Sequence, residues 1–295
     1  SPWNLTSKVF KQIFSLQSVD EKGDWSKYVL FPAVFKKAGY HVSFLSNQFP
    51  YGINYTPDWT NNLVGGFFLN HPQLNKQMFD YRNVTIHNYD EDLLNDYKDI
   101  IRYKKPQLII FHLLGQHFQY SLRCKSNMKK FGIKDYKRMD LTDKEKQTIA
   151  DYDNATLYND FVLNKIVEQF RNKDAIIVYL SDHGEDCYGK DVNMAGRLTE
   201  VEQINLKKYH EEFEIPFWIW CSPVYKQKHR KIFTETLLAR NNKFMTDDLP
   251  HLLLYLAGIK IKDYCEERNV ISPSFNNNRR RLVLKTIDYD KALYQ

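Results

Sequence analysis

The run Ala175-Ile176-Ile177-Val178-Tyr179-Leu180-Ser181-Asp182-His183-Gly184-Glu185 is the most informative stretch of this chain. Its first six residues are rich in β-branched side chains and flanked by charge, so they read as a buried strand. The strand runs straight into a polar pentapeptide, and ligands of open α/β sheets bind beyond the carboxyl ends of strands. Adjacent Asp182 and His183 in a tight turn can aim a hard oxygen and an imidazole at one divalent cation, and Gly184 permits the turn. The competing reading is an Asp that caps a following helix beside a surface His.

The same rhythm recurs on both sides. Phe31 to Ala38 reads as a helix stopped by Gly39, and His41-Val42-Ser43-Phe44-Leu45-Ser46 as a strand. Gln107 to Leu113 is a continuous apolar run after Pro106, the pattern of a buried strand. Thr142 to Arg171 predicts a long helix with Tyr152, Leu157, Phe161, Ile166 and Phe170 facing inward. Ile215-Pro216-Phe217-Trp218-Ile219-Trp220 predicts another strand, with its Pro at the start where a missing N–H is tolerated. Leu249 to Leu256 predicts a helix ended by Gly258. Strands alternating with helices predict βαβ units and an α/β fold. There is no internal repeat or low-complexity linker, so residues 1–295 are read as one domain. Residues 186–209 are polar and irregular, which predicts a long loop and a candidate site wall.

Composition bounds the function classes. With 43% hydrophobic and 26% charged residues, the chain is not disordered as a whole. It holds no run of roughly 18 apolar residues, as a membrane helix requires. A surplus of +6 over 295 residues is too small for a dedicated nucleic-acid binder. The basic residues are uneven, however. Nine Lys/Arg stand against four Asp/Glu between Arg123 and Lys146, and Arg279-Arg280-Arg281 forms a second knot. These are either solvated helical faces or a surface that meets anionic headgroups. The four cysteines form no Cys-x-x-Cys pair, which argues against a zinc finger or thioredoxin-type site. Two disulfides or isolated thiols both remain open. The opening Ser1-Pro2-Trp3 reads as a piece of something longer.

A second candidate element is His112-Leu113-Leu114-Gly115-Gln116-His117, again at the end of a strand. Two histidines five apart across a glycine turn can bind phosphate oxygens, act as acid or base, or ligate a metal. His112 falls within the strand and is read as structural; His117 is the functional candidate.

Leu180-Ser181-Asp182-His183-Gly184-Glu185, preceded by His-x-x-Gly-x-His and by Tyr152-x-Asn154-x-x-x-Tyr158-x-Asp160, resembles the phosphoethanolamine transferases of the alkaline-phosphatase/sulfatase superfamily. The likeness continues through Phe31 to Tyr40, Leu45-Ser46-Asn47-Gln48 and Phe213 to Trp220, and ends with Leu256-Ala257-Gly258-Ile259 and Ile271-Ser272-Pro273. It covers nearly the whole chain in order.

The resemblance implies an alkaline-phosphatase/sulfatase-like α/β fold with a largely parallel central sheet and helices on both faces. It also implies a threonine nucleophile, which falls on Thr6 in Asn4-Leu5-Thr6-Ser7 at the opening of a helix. A helix N-terminus favours a developing anion, and a cation lowers a hydroxyl's pKa. The competing reading of Thr6 is a plain N-cap. Asp182 and His183 match the family's metal ligands for zinc, or manganese in its place, with Thr6 as a third. His117 matches a histidine that contacts the transferred phosphate, and His210 is the substitute for a further one.

Three departures stand out. The family's Gly-Glu-Ser/Thr carboxylate, upstream of the threonine, is not in this chain. Gly196-Arg197 occupies the place where a further His is expected, and the cysteine-rich pattern of some members is missing. The implied activity is ping-pong transfer of phosphoethanolamine from phosphatidylethanolamine to lipid A or a core oligosaccharide. The implied place is the periplasmic face of a Gram-negative inner membrane, with membrane helices and a first strand outside this chain. Without that strand, a gap or unpaired sheet edge and weak metal binding are expected. A glycerol-phosphate transferase, another phosphohydrolase of the superfamily and a non-catalytic module for anionic lipid or glycan are the alternatives. A sulfatase is disfavoured, because no Cys/Ser-x-Pro-x-Arg element is present to become formylglycine.

Overall fold

Strand β1, His41–Ser46, lies at the centre of a parallel sheet of order β2-β1-β3, between β2 (Tyr81–Arg82) and β3 (Gln107–His112). The structure, a computed structural model, describes residues 1–48, 72–83, 85, 87–100, 106–198 and 204–294. Successive side chains of a strand point to opposite faces. Val42 and Phe44 accordingly join Leu108 and Ile110 in one apolar cluster, while Leu45 joins Ile109 and Phe111 in another. Helix α1 (Thr6–Phe14) closes the first cluster through Phe10 and Phe14, and α2 (Phe31–Lys37) adds Phe31 and Phe35. Phe14 stacks on Phe31 at 6.0 Å and meets Phe44 edge-on at 6.0 Å. The second cluster is covered by Leu93, Tyr97 and Ile100 of the helix Leu93–Ile100. Beside it, Tyr158, Val162 and Ile166 of the long helix Asp143–Phe170 pack against Phe111 and Leu113. Helices therefore cover both faces, as an α/β fold requires.

The second sheet departs from the parallel pattern. β4 (Ile176–Leu180) pairs antiparallel with β7 (Phe217–Cys221), Leu180 opposite Phe217. A parallel return needs a crossover of a dozen or more residues, usually a helix. Between β4 and β7 the described residues offer only the short helix Leu206–Tyr209 and a turn at His210–Glu212. The expected loop over 186–209 also contains a small hairpin, β5 (Asp186–Cys187) with β6 (Ala195–Gly196), which periodicity cannot reveal in strands of two residues.

The long helix begins at the expected Thr142, where a capping box closes its first turn: Thr142 accepts from the Glu145 N–H and Glu145 reaches back to Thr142. Its inward phase is set by Ala150, Asn154, Ala155, Tyr158, Val162 and Ile166. Leu157, read as inward, is 38% exposed. Tyr158, Val162 and Ile166 recur every four residues, and that stripe turns Leu157 toward solvent. All four cysteines are free. Among the described residues no helix is long and apolar enough to cross a membrane.

Among the described residues β3 pairs only with β1, and β4 only with β7. Between them lies a cavity of about 1480 Å³, lined along its length by both strands and reaching Thr6, His117, Asp182 and His183.

Candidate active site

The turn after β4 is held from three sides. Ser181 Oγ donates to the His183 carbonyl at 2.6 Å, and the Gly184 N–H donates to the Glu212 carbonyl at 2.9 Å. A Cβ on residue 184 would lie 1.8 Å from the Glu211 carbonyl oxygen and 2.6 Å from that of Glu214. The turn is thus pressed against the backbone of residues 211–214. His183 Nδ1 lies 2.9 Å from the Gly184 carbonyl oxygen, and donation there leaves Nε2 as an acceptor. That arrangement orients an imidazole for ligation.

Thr6 reaches the same point from α1. Leu5 holds the N-cap position without a side-chain cap, so Thr6 is the first helical residue and its hydroxyl is free for other work. The hydroxyl donates to Asp182 Oδ2 at 2.5 Å and lies 3.4 Å from His183 Nε2. Asp182 Oδ2 and His183 Nε2 are themselves 3.4 Å apart. Asn4, two residues upstream, anchors this end of the helix: its Nδ2 donates to Glu212 Oε2 and to the Leu198 carbonyl, both at 2.6 Å. Glu212 also accepts from the Leu198 N–H at 2.9 Å. One buried carboxylate therefore ties the segment before Thr6 to the segment after Arg197.

Electrostatics follow from burial and from the neighbours. Burial alone would raise the Asp182 carboxyl, but the His183 imidazole, the Thr6 hydroxyl, His112 and Arg197 outweigh it and hold it below the usual carboxylate range. Burial lowers the His183 pKa against the pull of Asp182, which favours the neutral ring a metal needs. His117 is pushed down to about 4, first by burial and then by the Arg197 charge. His112 is likewise lowered to about 4 by burial. It stacks on Phe44 at 5.8 Å with Nδ1 2.9 Å from Ser46 Oγ, the setting of a structural residue. Arg197 lies 3.5 Å from Glu185 Oε1, and burial raises Glu185 to about 6.

Thr6, Asp182, His183 and His117 all line one cavity; His210 is not among its lining residues. His210 opens the turn His210–Glu212, with its Nδ1 buried and unpartnered among the described residues. Sequence reasoning missed Asn4, Glu212 and the role of Arg197. Only Arg197 carried a signal, by occupying the position where a histidine was expected.

Thr6 Oγ1, Asp182 Oδ2 and His183 Nε2 are donors of the kinds zinc accepts, and they converge. They are three where a tetrahedral site takes four. Among the described residues no three His, Cys, Asp or Glu side chains gather in a metal-holding group.

Asp186 is a separate liability. It is fully buried, with its carboxyl beside that of Glu212. Burial, then the charges of Glu212 and Glu211, raise its pKa from 3.8 to about 7. A carboxyl raised on folding binds a proton in the folded state that the unfolded state releases, so stability falls as pH rises from about 4 to 7. Asp186→Asn is expected to flatten that slope and to stabilise the chain at pH 8 by a few kcal/mol at most. Urea midpoints at several pH values check it; an unchanged slope would remove Asp186 as its source.

"Phosphoethanolamine transferase EptC" of Escherichia coli K12 is 29% identical over 272 residues, covering 88% of this chain and 44% of the relative. "Phosphoethanolamine transferase CptA" of Salmonella typhimurium is 28% identical over 296 residues, covering 95% of this chain and 48% of the relative. The chain thus spans less than half the length of these curated relatives. The crystal structure of the C-terminal periplasmic domain of E. coli EcEptC superposes with a TM-score of 0.80 at 24% identity, covering all of this chain and 80% of that one. Its zinc complex gives 0.78 at 24% identity, covering 100% of this chain and 81% of that one. The family model described as Sulfatase matches residues 3–259, and the chain belongs to the sulfatase family.

Proposed function

We propose that this chain is the catalytic domain of a phosphoethanolamine transferase, with Thr6 as its nucleophile. The observation that carries the reading is the Thr6 hydroxyl, buried at a helix start, donating to Asp182 and lying beside His183 at the end of β4. The names of the relatives support the transferred group, and the zinc complex of the E. coli neighbour supports the metal.

Thr6 Oγ attacks the phosphorus of phosphatidylethanolamine. The Oγ–P bond forms, the P–O bond to diacylglycerol breaks, and diacylglycerol leaves with a proton. A hydroxyl of lipid A or a core sugar then attacks the same phosphorus, taking the phosphoethanolamine and returning the proton to Thr6. Asp182 Oδ2 holds the hydroxyl hydrogen and orients the attacking oxygen. His117 lines the same cavity and faces the transferred phosphoryl group, and Arg197 supplies positive charge nearby. Thr6, Asp182 and His183 would hold zinc, whose charge lowers the hydroxyl's pKa and neutralises phosphoryl oxygens. This reading places the domain at the periplasmic face of a Gram-negative inner membrane.

A mass increase on Thr6 after incubation with phosphatidylethanolamine and zinc is the test. A phosphoethanolamine adduct on Thr6 is expected; an adduct on another residue would overturn the assignment. A zinc titration by calorimetry gives a second prediction. Three donors predict weak binding by this chain, and Asp182→Asn should weaken it further by about 100-fold. Equal affinity in the variant would exclude Asp182 as a ligand.

A further inference from the structure

We propose that residues 116–141 form a surface that binds anionic lipid bilayers beside the cavity that His117 lines. Between Gln116 and Met139 there are seven Lys/Arg and a single acid, Asp135. That excess of six equals the formal surplus of the entire chain, so the remainder is balanced. Lys129, Lys130, Lys134 and Lys137 are exposed, and among the described residues Lys130, Lys134 and Lys137 make no ion pair.

Large apolar side chains are exposed in the same stretch: Phe118 at 58%, Leu122 at 58% and Met139 at 94%. This exposure does not come from a loose segment. Asn154 Oδ1 accepts from the N–H groups of Lys130 and Phe131 at 2.6 and 2.9 Å, and its Nδ2 donates to the Phe131 carbonyl at 2.9 Å. The Tyr136 hydroxyl donates to Asp153, and the Tyr120 ring meets Tyr152 edge-on at 5.1 Å. The backbone is thus strapped to the long helix, and single residues of the strap project outward. Phe118 and Leu122 flank one turn, closed by Leu122 N–H to Gln119 carbonyl at 2.9 Å. Arg123 locks that turn to the cavity wall by donating to the carbonyls of His117 and Phe118, both at 3.3 Å.

A soluble phosphorylated saccharide would use the lysines but gives no reason to expose Phe118, Leu122 and Met139. A bilayer uses both, since cations meet the headgroups while apolar side chains enter the interface. His117 lines the cavity and Phe118 follows it directly in the chain, so docking there brings lipid phosphates beside the His117 side of the cavity.

The test is sedimentation of this 295-residue chain with vesicles of phosphatidylglycerol and phosphatidylcholine mixed, against phosphatidylcholine alone. Partition about tenfold or more in favour of the anionic vesicles is expected, declining with salt. Lys130→Glu/Lys134→Glu/Lys137→Glu should lose that preference, and Phe118→Ser/Leu122→Ser should reduce the binding that survives high salt. Unchanged melting of both variants shows that the fold is kept. Equal partition to both vesicle types, or anionic binding that neither variant weakens, would overturn the proposal. So would capture of a soluble phosphorylated oligosaccharide through the same lysines without vesicle binding. No turnover is measured, so a failure here leaves the transfer reading standing, and the reverse also holds.

Discussion

Thr6→Ala is expected to cut phosphoethanolamine transfer by about 10³-fold or more while leaving the fold in place. The two effects separate because of where Thr6 sits. Leu5 occupies the N-cap position, so losing the Thr6 hydroxyl removes no cap from α1. Alanine is also a better helix former than threonine. What disappears is the 2.5 Å hydrogen bond to Asp182 and the oxygen that would attack phosphorus. The stability cost should stay near about 1 kcal/mol. Thr6→Ser keeps an oxygen on the same backbone position and should retain measurable transfer. The comparison is made on the zinc-loaded protein in the presence of phosphatidylethanolamine, with melting curves for all three forms. Transfer by Thr6→Ala within tenfold of the parent would show that the nucleophile lies elsewhere.

Gly184→Ala should damage both the fold and the site. The added Cβ would stand 1.8 Å from the Glu211 carbonyl oxygen and 2.6 Å from that of Glu214. Both are backbone atoms, so neither can rotate away as a side-chain tip would. Either the turn leaves β4 or residues 211–214 shift, and the second choice pulls on Glu212, which holds Asn4 and Leu198. A loss of about 3–5 kcal/mol is expected, with transfer reduced even under conditions where the variant stays folded. Gly39→Ala is the contrast. At φ +93° a substituted residue is strained, but no atom lies within 4 Å of its Cβ, so only about 1–2 kcal/mol should be lost. Urea unfolding of the three proteins decides the matter. A Gly184→Ala midpoint equal to the parent's would mean that the 211–214 backbone yields freely and does not position the turn.

The sequence reading of Gly184 illustrates what was legible. A glycine was expected there for the freedom of a tight turn, yet Gly184 is absent from the glycines with positive φ. The requirement comes from a backbone about thirty residues away in sequence pressing on its face. Leu157 and Tyr158 show the same limit on a smaller scale. Both fit a helical stripe, and the packing against Phe111 and Leu113 selects Tyr158. Long strands, the glycines that end helices at Gly39 and Gly258, and the span of the long helix from Thr142 were readable because each is set by neighbours within a few positions. The antiparallel return of β7 was not, because an apolar run holds no record of its partner's direction.

The site divides along the same line. A strand that ends in Ser-Asp-His-Gly-Glu is a local pattern, written in periodicity and residue type, whereas Thr6 was reached through the family resemblance. Their convergence is a different kind of fact: Thr6 meets Asp182 across 176 positions, and Asn4 meets Glu212 across 208. Those meetings depend on α1 seating its phenylalanines against the sheet and on Glu212 satisfying its buried charge through Asn4 and Leu198. Packing and the satisfaction of buried polar groups act through space, between segments whose separation along the chain leaves no periodic trace.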